Sequence, residues 1–296
     1  MKADQLKGVI CPMVTPLDER QNIDEAGTRR LVRRLIAKGV NGLFILGTMG
    51  EFPMIVGEEK KRLVEIVTDE VKGAVPVLVN VSEQGPRLTE RTMRAAIDAG
   101  AEAIVLTPPY YYNTRDKREL FNYYASLSRN AGVPLVIYDA VYTNNLIPTD
   151  ILLELGAESN IIGVKCNVFN HTPLLRELGA SDSFAVLHGD ETTLDLAVRN
   201  GVDGIVPGIS SLGIDHCVKL FRAAQAGDTA EARRLQKELL HIQRMVYGGG
   251  KHWGNGHKYA LKQLGVCDDH IATTLLPLTE DGKAGIRQVL EEYHIS

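Results

Sequence analysis

Short β-rich apolar runs recur along the chain with a helical segment between neighbours, and this alternation limits the possible folds more than any other feature. Eight such runs lie at 9–15, 42–47, 76–81, 103–108, 134–139, 161–165, 184–189 and 204–208. Several, such as LFILG, VLVNV, AIVLT and LVIY, are almost wholly apolar, as strands buried on both faces must be. Between them, the segment 24–38 places Leu31, Val32 and Leu35 on one face and arginines on the other, and 56–72 and 88–99 are built alike. Glycine follows four helical stretches, in AKG, DAG, NAG and RNG, where a helix C-cap is needed before an αβ turn. Eight βα alternations predict an α/β fold, a closed (β/α)8 TIM barrel. An open doubly wound sheet would have fewer strands and a glycine-rich first turn, and no GxGxxG follows the first run.

After residue 214 the pattern is helical, over 216–226, 230–247, 258–264 and 283–293. The first of these completes the barrel. The chain therefore reads as a barrel over 1–226 with a C-terminal helical extension of the same domain over 227–296. Its 296 residues suit one such barrel of roughly 250 residues plus additions. The net charge of −4 leaves no basic footprint for nucleic acid. No apolar run reaches the roughly 18 residues that span a bilayer, and the N-terminal MKADQLKGVI lacks a signal core. Cys11, Cys166, Cys217 and Cys267 are far apart and form no CxxC pair, against zinc or redox motifs. The expected setting is the cytoplasm, with a small-molecule substrate and neither membrane nor nucleic acid as partner.

Barrel enzymes place their chemistry at the C-terminal ends of the strands. There the chain offers Gly47–Thr48–Met49–Gly50–Glu51, Thr107 through Tyr112, Tyr138–Asp139, Lys165, and His188–Gly189–Asp190–Glu191. Lys165 is the only lysine that ends an apolar strand. Burial disfavours its ammonium, and a neutral amine is what Schiff-base catalysis needs. A lysine snorkelling from the barrel mouth, or paired with Asp139 or Asp190, fits the spacing equally well. Tyr138 suits either proton transfer or plain packing, and the tyrosines at 110–112 suit packing or a subunit interface. The turn at 47–51 can hold a carboxylate on its N–H groups, or be an ordinary βα turn. His252 and His257 sit in a glycine-rich stretch read as loop, no HExxH or phosphate loop is present, and no metal or nucleotide site is expected.

GTMGE (47–51), TPPYYY (107–112), VIYD (136–139), IIGVK (161–165) and HGDE (188–191) together resemble the N-acetylneuraminate lyase and dihydrodipicolinate synthase family of class I pyruvate aldolases. The resemblance runs from GVICPMVTPLDE through KYALKQLG. It implies Lys165 as the Schiff-base nucleophile, Tyr138 as the general acid/base, Thr48 as its hydroxyl relay, and Tyr111 as a second relay that some relatives supply across a subunit interface. It implies the Thr48 and Met49 N–H groups as the keto-acid carboxylate site, Gly189 and Val206 as pocket lining, no cofactor, and a homo-oligomer, commonly a tetramer. Met49 stands where the family has threonine or serine, and Cys166–Asn167 after the lysine is unusual. Thr143 stands where dihydrodipicolinate synthases carry the arginine that binds the carboxylate of aspartate semialdehyde. Uncharged Thr143, Asn144 and Asn145 suit hydroxyl groups. The expected reaction is reversible aldol cleavage of a 2-keto-3-deoxy acid to pyruvate and an aldehyde. The alternatives are dihydrodipicolinate synthase or a keto-acid dehydratase on the same lysine, and, outside catalysis, a ligand sensor on a retained barrel.

Overall fold

The computed structural model describes residues 1–167, 183–248, 253–272 and 275–296. Its strands are β1 (Gly8–Pro12), β2 (Gly42–Ile45), β3 (Val77–Asn80), β4 (Ala103–Leu106), β5 (Leu135–Asp139), β6 (Ile161–Cys166), β7 (Ala185–His188) and β8 (Gly204–Ile205). They pair in parallel in chain order, and β8 returns to β1 to close a barrel. The fold is the expected (β/α)8 TIM barrel.

The fifth apolar run ends with its strand and β6 runs one residue past the sixth, but the others overreach the strands at their C-terminal ends, furthest at the first and the eighth, where β1 stops at Pro12 and β8 at Ile205. There the chain leaves the hydrogen-bond ladder to form the loops that carry polar side chains. The helices around the barrel are α1 (Glu25–Ala37), α2 (Gly57–Val71), α3 (Pro86–Asp98), α4 (Lys117–Ala131), α5 (Thr149–Gly156), α6 (Leu194–Arg199) and α7 (Ser210–Gln225). The four glycines expected to stop helices, Gly39, Gly100, Gly132 and Gly201, all adopt positive φ.

Two cores follow from strand alternation. Ile10, Phe44, Leu78, Val105, Val136, Tyr138, Leu187 and Val206 fill the barrel, and a short 3₁₀ helix at Ala3–Leu6 plugs its N-terminal end. Val9, Cys11, Leu43, Val79 and Val164 face the helical layer. All four cysteines are buried and unpaired.

One irregularity aims the chemistry. Leu135 pairs with Ile161, but Val136 pairs with Gly163, so the β5–β6 register shifts by one residue. Beyond the shift, Tyr138 pairs with Lys165 and Lys165 with Leu187, which places all three on the inward side. With unbroken alternation from inward-facing Ile162, Lys165 would point outward. A bulge re-aims side chains in this way.

The last helices are α8 (Thr229–Gly248), α9 (Trp253–Gln263) and α10 (Glu280–Glu292). α9 begins earlier than the sequence pattern predicts and includes His257, although the glycines around it predict a loop; His252 lies outside the described residues. Within this helix position 256 has to be glycine because α8 passes it closely: a Cβ there would stand 1.7 Å from the Val246 carbonyl oxygen.

Candidate active site

A cavity of about 430 Å³ opens at the C-terminal end of the barrel, with Lys165 among its walls. Lys165 is 7% exposed. Its Nζ lies 4.1 Å from the centroid of the Tyr138 ring and 5.6 Å from that of Phe44. Burial lowers its pKa to about 7, and the Glu191 carboxylate acts in the opposite sense. The snorkelling alternative is thereby replaced by a buried amine that is partly neutral at physiological pH.

Tyr138 is fully buried, and its hydroxyl lies 3.3 Å from Thr48 Oγ1. Burial pushes its pKa up to about 12, only partly offset by the Thr48 hydrogen bond, so it stays protonated and can serve as an acid. Thr48 and Met49 sit on the turn after β2. There the Gly50 N–H donates to the Gly47 carbonyl and the Glu51 N–H to the Thr48 carbonyl, which leaves the Thr48 and Met49 N–H groups unused by the turn. Thr48, Met49, Gly189 and Val206 all line the cavity. Gly189 leaves room for the lysine: a Cβ there would come within 2.6 Å of Lys165 Cε and of Asn167 Oδ1.

Tyr111 does not line the cavity. Its side chain is 71% exposed, and its N–H donates to Gln84. The expected specificity residues also require correction. Thr143 is buried away from the cavity and donates its hydroxyl to the Ala140 carbonyl, while Asn144 is exposed and lies off the cavity wall. Asn145 ties two loops, donating to the Pro109 and Tyr112 carbonyls and accepting from the Thr114 N–H. These side chains are spent on the loop itself, and the neighbouring Val141 and Tyr142 reach the cavity instead.

Other wall residues had no role from sequence. The Glu191 carboxylate accepts from the Ile209 N–H at 2.5 Å, from Gln243 Nε2 at 2.6 Å and from the Tyr247 hydroxyl at 3.1 Å. Burial raises its pKa. HGDE contains Glu191, but Gln243 and Tyr247 lie on α8, far along the chain, and no short motif marks them. His188 turns away and pairs with Thr193 at 2.9 Å.

The fold and this site define an aldolase-type enzyme of the Schiff-base class: a depressed-pKa lysine within a closed barrel, beneath a protonated tyrosine and its threonine partner. The Dihydrodipicolinate synthetase family profile matches residues 5–293, and the chain belongs to that family. It is 32% identical over 251 residues to the 4-hydroxy-tetrahydrodipicolinate synthase of Methanothermobacter thermautotrophicus, covering 82% of this chain and 88% of that one. It superposes on dihydrodipicolinate synthase from Bacteroides thetaiotaomicron with a TM-score of 0.91 at 29% identity, covering 97% of this chain and 98% of that one. YagE of E. coli K12, a dihydrodipicolinic acid synthase family protein solved with pyruvate, gives a TM-score of 0.90 at 29% identity, with 98% and 99% covered.

Proposed function

We propose that Lys165 forms a Schiff base with pyruvate and so makes it a nucleophile toward an aldehyde, a reaction that also runs in reverse. The observation that carries this reading is the buried Lys165 amine, with its pKa near 7, beside the Tyr138–Thr48 pair. The neutral amine attacks the keto carbon. Tyr138 protonates the carbinolamine hydroxyl, which leaves as water. The iminium draws electrons from the adjacent C–H bond, the Tyr138 phenolate takes up the released proton and is restored, and the resulting enamine adds to the aldehyde carbon. Tyr138, reached through Thr48, supplies the proton to the new alkoxide. Hydrolysis of the iminium releases product and restores Lys165. The Thr48 and Met49 N–H groups hold the pyruvate carboxylate.

Of the two reactions this chemistry allows, the names of the relatives support 4-hydroxy-tetrahydrodipicolinate synthesis over cleavage of a 2-keto-3-deoxy acid. One observation favours the cleavage reading. Lys165 is the only basic residue among the described cavity walls, and Asp190 and Glu191 are the other charged ones. A second substrate carboxylate has no charge-assisted partner there. The proposed setting is the cytoplasm, where four unpaired buried thiols are at home. The proposed assembly is a homotetramer, supported by the exposed apolar side chains of Tyr111, Tyr112, Val141, Tyr142 and Leu146 around the barrel mouth.

Borohydride reduction in the presence of pyruvate is expected to label Lys165 alone, with loss of label and activity in Lys165→Ala. Labelling at another lysine would remove the assignment. Comparing kcat/KM for pyruvate with aspartate semialdehyde against pyruvate with hydroxyaldehydes separates synthase from lyase.

A further inference from the structure

The turn that carries Thr48 is bracketed by two non-glycine residues in the left-handed region, Leu46 at φ 56° and Glu51 at φ 57°. L-residues disfavour that region, and they stay in it only where their surroundings hold them. At Leu46 the hold is Asn80, whose Nδ2 donates to the Leu46 carbonyl at 2.8 Å. At Glu51 it comes from the C-terminal helices. Glu51 Oε1 lies 2.5 Å from Lys258 Nζ, on α9, and Oε2 accepts from the Ala272 N–H at 2.7 Å. Lys258 also donates to the His270 carbonyl at 2.7 Å. The side chains of Lys258 and Glu51 are 1% and 2% exposed.

A buried ion pair is a poor source of net stability, because desolvation offsets most of the attraction and an apolar pair packs as well. What it does fix is position. The Glu51 N–H closes the turn on the Thr48 carbonyl at 3.1 Å, so holding Glu51 holds Thr48.

We propose that Lys258 is a positioning residue for the reaction: through Glu51 it clamps the 47–51 turn, keeping the Thr48 hydroxyl beside Tyr138 and the Thr48 and Met49 N–H groups facing the keto acid. The C-terminal extension is then a working part of the site. This rests on the Schiff-base reading above.

The test is Glu51→Gln/Lys258→Met, which keeps side-chain volume and removes both charges. We expect a folded protein still labelled at Lys165 by saturating pyruvate and borohydride, with kcat/KM for pyruvate reduced by about 10- to 100-fold, mostly in KM. A folded double variant with wild-type kcat/KM overturns the proposal, since a pair that only holds the fold would leave catalysis unchanged. If the double variant does not fold, Lys258→Arg decides. Reduced kcat/KM with labelling retained supports the clamp, and wild-type kcat/KM overturns it. If neither variant folds, the pair is a folding element and the clamp is refuted. Failure of the wild type itself to be labelled strikes the Schiff-base reading instead.

Discussion

Taking an ammonium out of water is costly, and Lys165 bears that cost in the folded state. Its folded pKa is about 7, against the ordinary 10.5. Between those values the unfolded chain holds a proton that the folded one lacks, so stability rises with pH across the window, and the full penalty is present below about pH 7. Lys165→Met is therefore expected to be more stable than wild type at pH 7, by an amount on the order of a few kcal/mol, with the difference closing toward pH 10.5. Urea unfolding at pH 6, 8 and 10 checks this, and equal stabilities at pH 6 would mean the amine is hydrated. Glu191 raises the lysine pKa, so Glu191→Gln is expected to move the acid limb of the pH profile of kcat/KM to lower pH. An upward or absent shift would remove that electrostatic role. At this scale the placement of Lys165 and Tyr138 on the cavity wall is legible in the sequence, because each is a polar residue type at an apolar strand end. The sequence misleads at Thr143, because nothing local says whether a hydroxyl faces substrate or its own loop.

Among the elements, strand identity was legible because burial on both faces leaves unbroken apolar runs. The β5–β6 register shift was not: IIGVK contains Gly163 and Lys165, but neither residue says that the pairing slips after Leu135, and only the partner strand defines it. The early start of α9 was hidden for another reason. WGNG looks like loop until a second helix is seen to need the space of the missing side chain. Gly256→Ala tests that account. Its Cβ would collide with the Val246 carbonyl, forcing α8 and α9 apart at a cost of about 1–3 kcal/mol. Calorimetry should show a lower Tm, and kcat/KM should fall with it, because α9 carries Lys258. An unchanged Tm would show that the helices separate freely.

For the molecule as a whole, the proposed tetramer would place the exposed aromatic residues at the barrel mouth, Tyr111, Tyr112 and Tyr142, in an interface between copies. Light scattering is expected to give a tetramer, and Tyr111→Phe to lower kcat while leaving the assembly intact. A fully active monomer would remove both expectations. The unpaired cysteines have a consequence of a different kind. They stand at four separate stations, in β1, β6, α7 and the segment after α9, and burial raises each thiol pKa, so none is a thiolate while the native packing holds. Each can react with a modifying reagent only when its own part of the molecule opens. The chain thus carries four built-in clocks, and the order in which they run would give the order in which barrel wall, catalytic strand and C-terminal helices come undone.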